Sequence, residues 1–178
     1  MLRKLAKLAL LLASAHAVPA SASAWMVDAG RGNAVQFVGV GTPLLDRRDV
    51  HPEWAWQLDR LWIARAAYWN AEHPQPFGKH LWDVSLMPTL RFGPRDDGSL
   101  QPFVEAAIGA HLLSTTHIDN RRMSTAFQFG EQLALGVRVP GRLPLAISLR
   151  AEHVSNGGIK EPNPGVNFLG LRVQLEWR

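Results

Sequence analysis

Apolar and polar residues alternate along most of this chain with a period of two, the pattern of a strand with two chemically different faces. In the last segment Leu169, Leu171, Val173, Leu175 and Trp177 fall on one face, and Gly170, Arg172, Gln174 and Glu176 on the other. Leu145, Ile147, Leu149 and Ala151 oppose Ser148, Arg150 and Glu152 in the same way. So do Val104, Ala106, Ile108, Ala110 and Leu112 against Glu105, Gly109 and His111, and Phe127, Phe129, Leu133, Leu135 and Val137 against Gln128, Gln132 and Arg138. Stretches rich in Gly, Pro, Asn and Asp interrupt the alternation at 30–33, 42–53, 73–79, 94–99, 114–121, 140–142 and 156–165. They predict strands over 25–30, 33–41, 54–70, 80–93, 101–113, 122–138, 143–154 and 166–177. Eight antiparallel strands close into a barrel and so remove exposed sheet edges.

The two faces decide which kind of barrel this is. A soluble lipid-binding barrel buries its apolar face, whereas an outer-membrane barrel turns that face to lipid and fills its interior with polar groups. Here the polar face carries whole charges at strand centres, Arg150, Glu152 and Arg172 among them, with small Gly and Ala between. That suits a narrow, ion-paired interior. Trp25, Trp54, Trp56, Trp62, Trp69, Trp82 and Trp177 are available for the aromatic girdles found at headgroup depth. The fold class expected is all-β, an eight-stranded antiparallel transmembrane β-barrel. A soluble periplasmic barrel with the same Trp in its core is the alternative.

Residues 1–24 read as a cleaved signal peptide, leaving 25–178 as the barrel domain. Arg3, Lys4 and Lys7 form a basic start, Leu8 to Val18 an apolar stretch too short to span a bilayer, and Ala22-Ser23-Ala24 a small-x-small cleavage site. Beyond it there is no apolar run of about 18 residues, the length that suggests a transmembrane helix. Removing those three cations from nineteen basic residues leaves sixteen against fifteen acidic ones. The sequence pI near 10.1 therefore belongs partly to the leader. No nucleic-acid partner is expected. The absence of cysteine excludes a disulfide framework, thiolate metal ligation and a cysteine nucleophile. His51, His73, His80, His111 and His117 lack metal-ligand spacing, so neither metal nor cofactor is expected. His111 and Glu105 read as interior hydrogen-bonded and ion-paired groups.

Chemistry concentrates at the end of the seventh strand. The parity of Leu145, Ile147, Leu149 and Ala151 continues outward through His153 and Ser155. Histidine is the usual base for a serine nucleophile. Gly157 and Gly158 supply local freedom, and Asn156 with nearby amides such as that of Gly158 offers donors to an oxyanion. Counting around the 156–165 loop places Asn167 opposite His153, where its oxygen can accept from the imidazole N–H. Glu131 is a second candidate for orienting His153. Counting around the 139–142 turn puts it outward beside Leu149 or Ala151, unless a bulge turns it into the lumen.

The run from His153 through Ser155-Asn156-Gly157-Gly158 and Lys160 to Pro162-Asn163-Pro164-Gly165 resembles the lipid A 3-O-deacylase (PagL) family of outer-membrane enzymes. The stretch Pro102-Phe103-Val104-Glu105-Ala106-Ala107-Ile108-Gly109 is similar to a second motif of that family. The resemblance implies hydrolysis of the ester-linked 3-hydroxyacyl chain of lipid A, with His153 as base, Ser155 as nucleophile, and Asn156 with nearby amides as oxyanion hole. Val154 stands where the family has tyrosine, Asn167 where its pattern has a glutamate, and Trp177-Arg178 where a terminal aromatic is usual. With an even strand count the short turns face the periplasm and the 156–165 loop the cell surface. His153 and Ser155 then meet the outer leaflet, and Lys160, Arg121 and Arg122 on surface loops are candidate contacts to lipid A phosphates. The partners expected are lipid A or lipopolysaccharide and outer-membrane lipids, with a homodimer left open. A non-catalytic barrel with a structural or surface-interaction role is the alternative function.

Overall fold

The computed structural model of the chain describes residues 23–50, 55–73, 78–95 and 98–177. Its strands are β1 (Ser23–Gly32), β2 (Val35–Val50), β3 (Trp56–Ala71), β4 (His80–Pro94), β5 (Gln101–Leu113), β6 (His117–Ile118), β7 (Arg121–Arg122), β8 (Phe127–Val139), β9 (Leu145–Ser155) and β10 (Val166–Trp177). Eight of them form a closed antiparallel barrel in the order β1-β10-β9-β8-β5-β4-β3-β2, while β6 and β7 make a separate two-stranded hairpin. Barrel strands of 10 to 16 residues are long enough to cross a bilayer at a tilt.

Most strand boundaries fall close to those read from the sequence, with two instructive exceptions. β2 runs on to Val50, through much of the stretch expected to be a turn. Pro43 cannot donate to a ladder, and the pairing with β3 absorbs it by shifting register between Pro43 and Leu45. The predicted sixth strand, 122–138, begins only at Phe127, because Arg121 and Arg122 pair with His117 and Ile118 instead. The leader segment lies outside the described residues except for Ser23 and Ala24, which open β1.

Outward positions are exposed and apolar, as a lipid-facing wall requires. Val38 and Val40 on β2, Leu133 and Leu135 on β8, Leu149 on β9 and Leu169 and Leu171 on β10 all point away from the lumen. Trp82 lies outward near one rim, and Trp25 and Trp56 near the other. Trp69 departs from the expected girdle: it is fully buried inside. Its odd number against the even outward Trp56 and Trp62 of the same strand already carried that signal. Trp54 lies outside the described residues.

The lumen is filled. Asp28 accepts from Arg65 Nε at 3.0 Å and from Arg172 Nη2 at 3.2 Å, and it pairs with Arg150. Glu152 pairs with Arg150 at 2.7 Å, Arg91 with Glu105 at 2.6 Å, and His111 Nδ1 with Asp83 at 3.0 Å. His111 and Glu105 thus hold the interior roles read from the sequence. Gly39 makes this packing feasible, since a Cβ there would come within 2.9 Å of Arg65 Nε. Toward the loop-bearing rim the interior turns apolar. Val35, Phe37, Trp69, Leu81, Val154 and Phe168 form a plug that Ile118 and Met123 of the β6–β7 segment complete from above. This apolar plug was not anticipated.

Candidate active site

The site rests on three adjacent strands. Along β8 the outward row reads Phe127, Phe129, Glu131, Leu133, Leu135; along β9, Ile147, Leu149, Ala151, His153, Ser155; along β10, Asn167, Leu169, Leu171, Val173. The register places His153 opposite Asn167 on one side and opposite Glu131 on the other. Three polar residues therefore lie side by side, next to Ser155, across outward rows that are otherwise apolar. Glu131 is exposed and the β8–β9 ladder is continuous, so no bulge turns it into the lumen. It also sits directly beside His153, not beside Leu149 or Ala151. The connection from Val139 to Leu145 is wider than the assumed tight turn.

His153 Nδ1 lies 2.6 Å from Asn167 Oδ1. With that oxygen accepting, Nδ1 carries the proton and Nε2 is left with the lone pair a general base needs. The Asn167 backbone is itself held, its N–H donating to Asn33 Oδ1 at 2.7 Å. His153 and Ser155 are half-buried on the same face. Among the described residues no hydrogen bond joins the imidazole to the Ser155 hydroxyl, which instead accepts from the Gly157 N–H at 3.5 Å. Gly165, with φ of 58°, packs beneath the pair: a Cβ there would be 2.9 Å from His153 Cε1 and 3.3 Å from Ser155 Cβ.

The side chain of Asn156 is engaged within the loop. It is fully buried, its Nδ2 donates to the Lys160 carbonyl at 2.6 Å, and its Oδ1 accepts from the Gly158 N–H at 2.9 Å. Its own N–H donates to Asn163 Oδ1 at 3.0 Å. Asn156 and Gly158 thus build the loop, and the Gly157 N–H is the donor aimed at Ser155. The sequence offered Gly157 only as one of the nearby glycine amides, because backbone direction is not written in a side-chain motif. The Ser124 hydroxyl donates to the Pro162 carbonyl at 2.7 Å and ties the β7–β8 connection to this loop. Lys160 and Arg122 are exposed on these adjoining segments, whereas Arg121 is drawn to Asp119 at 3.4 Å. Among the described residues no group of His, Asp and Glu is arranged to hold a metal ion.

An external groove of about 450 Å³ runs from His153 and Asn167 across Glu131 to Ala106 on β5, with Ala151 and Leu133 along it. Small side chains lower its floor beside the taller Leu and Phe of the wall. An outward imidazole with an orienting amide, a hydroxyl two residues on and an apolar groove together can serve attack on an acyl ester of a membrane lipid.

Comparison with known proteins decides the family. The model of the lipid A 3-O-deacylase (PagL) family matches residues 37–176. The chain belongs to the PagL family. The lipid A deacylase PagL of Bordetella bronchiseptica is 34% identical over 173 residues, covering 96% of this chain and 92% of that protein. The lipid A deacylase PagL of Pseudomonas aeruginosa is 30% identical over 179 residues, covering 98% and 99%. The crystal structure of the outer membrane enzyme PagL superposes with a TM-score of 0.75 at 22% identity, over 85% of this chain and 97% of that one. The barrel is thus the PagL fold. Two places where the chain departs from the PagL sequence pattern fit the geometry. Val154 points into the apolar plug, and Asn167 makes its contact to His153 without a charge.

Proposed function

We propose that this chain is an outer-membrane lipid A deacylase that removes the 3-O-linked 3-hydroxyacyl chain by a serine-esterase mechanism. The observation that carries the reading is the His153 Nδ1 to Asn167 Oδ1 contact at 2.6 Å, on the lipid-facing wall and two residues from Ser155. Residues 1–24 serve as the export signal, and the loop-bearing rim faces the cell surface. The site then meets the outer leaflet at the depth of the acyl esters.

In the mechanism, Ser155 Oγ attacks the ester carbonyl while His153 Nε2 takes its proton. The oxyanion that forms is met by the Gly157 N–H, held in place by the Asn156–Gly158 turn. Collapse breaks the bond to the sugar oxygen, which leaves with the proton from His153. Water, deprotonated by the same imidazole, then releases the 3-hydroxy fatty acid and restores Ser155. Lys160 and Arg122, with Arg121 behind them, supply cations for the lipid A phosphates.

Lipid A extracted from cells expressing the wild type should lose one 3-hydroxyacyl mass in mass spectrometry, and Ser155→Ala should leave it intact. Unchanged lipid A with the wild type, or continued loss with Ser155→Ala, rejects the mechanism. Unchanged lipid A together with a folded barrel would favour the non-catalytic alternative.

A further inference from the structure

Glu131 has no evident structural task. It interrupts an outward row of Phe127, Phe129, Leu133 and Leu135, where a carboxylate facing lipid is unfavourable. Among the described residues it makes no hydrogen bond and no ion pair. Its in-register neighbours are Ile108 on β5 and His153 on β9. Directly opposed outward pairs place their Cβ atoms about 4.5–5.5 Å apart. The group beside it that becomes a cation during turnover is therefore the His153 imidazole.

Asn167 accounts for only half of what a catalytic histidine needs. An amide oxygen fixes the tautomer, but it does not offset the positive charge that arises when Nε2 takes the serine proton. We propose that Glu131 is a positioning residue for His153 and supplies that missing charge, so that the orienting and charge-stabilising tasks are divided between β10 and β8. This rests on the reading of His153 as the base for Ser155. Glu131 and Asn167 flank the imidazole from opposite sides and open onto the same groove. Among the described residues no other acid on a packed element has this position. The 156–165 loop carries Lys160 and Glu161, and a Glu161 carboxylate oxygen accepts from the Asn163 N–H at 2.9 Å. Glu152 lies behind the wall in the lumen, paired with Arg150.

The sign of the effect is fixed. A carboxylate beside His153 stabilises the imidazolium that forms as Nε2 takes the serine proton. In refolded full-length chain assayed on purified lipopolysaccharide, Glu131→Gln should lower kcat about 10- to 100-fold with KM nearly unchanged. Glu131→Leu suits the lipid-facing row and should give the same result if Glu131→Gln folds poorly. Asn167→Glu in the Glu131→Gln background should restore the rate, because it returns the charge from the other side, which a merely structural loss at Glu131 would not allow. Wild-type kcat in Glu131→Gln overturns the proposal, as does a slowed variant that Asn167→Glu does not rescue. If Ser155→Ala is inactive while Glu131→Gln is not slowed, the esterase reading stands and this inference alone fails. If the wild type releases no acid, the esterase reading itself fails.

Discussion

At the scale of single residues, the geometry of His153 depends on what lies beneath it as much as on what it bonds. Gly165 sits at φ of 58°, where a side chain costs about 1–2 kcal/mol, and an added Cβ would crowd His153 Cε1 at 2.9 Å. Gly165→Ala should therefore push the imidazole off Asn167 and lower kcat about tenfold or more. Gly98→Ala is the matched control. Its φ of 80° carries similar strain, but a Cβ there meets nothing within 4 Å. Deacylation kinetics of the two refolded variants should separate contact from strain, with only Gly165→Ala losing rate. The His153–Asn167 pairing was legible in the sequence, because the hairpin around 156–165 keeps its register. The place of Glu131 was not fully legible. A turn's conformation sets the count on both strands, and the 140–144 connection is looser than its Pro-Gly pair suggests.

At the scale of elements, the loop between β9 and β10 is a built structure held by one buried side chain. Asn156 meets the Lys160 carbonyl, the Gly158 N–H and, through its backbone, Asn163. Asn156→Ala leaves that carbonyl and N–H to find other partners, at about 1–3 kcal/mol local to the loop. The barrel should still fold, but the loop should open, and trypsin should cut after Lys160 many times faster than in the wild type. Peptide mapping of the folded, detergent-solubilised protein reads this directly, and equal cleavage rates would show that the loop has other supports. Elements with clean alternation were read correctly because lipid and lumen impose opposite demands on successive residues. β2 was truncated in the reading because Pro43 and the charges after it look like a turn, and only the partner strand β3 shows that the ladder continues. β6 and β7 carry no periodic signal in two residues each, and tertiary packing of Ile118 and Met123 onto the plug defines them.

At the scale of the whole molecule, a barrel with an apolar exterior has moved its polar interactions inside, and its stability follows from how the luminal charges close on one another. Asp28 is the centre of that closure, since Arg65, Arg150 and Arg172 all reach it. Three guanidinium groups around one carboxylate are tolerable only while Glu152, Asp83 and Glu105 supply the remaining negative charge at their edges. Removing a partner from a buried network costs more than forming it gains, because the groups left behind keep their desolvation penalty. Asp28→Asn preserves the size and an acceptor oxygen but deletes the charge. It should lower stability by about 3–5 kcal/mol. In detergent the folded, fast-migrating gel band should accordingly be lost at a clearly lower temperature. Asp28→Asn with Arg172→Met should recover part of the loss, because it removes a cation along with the anion that faced it. The lipid-facing row of Glu131, His153 and Asn167 lies on the other side of the wall. Deacylation by the folded fraction of Asp28→Asn, measured well below its melting temperature, should therefore stay near the wild-type rate. A large loss of turnover there would mean that the luminal network sets the geometry of the outer wall as well as its stability.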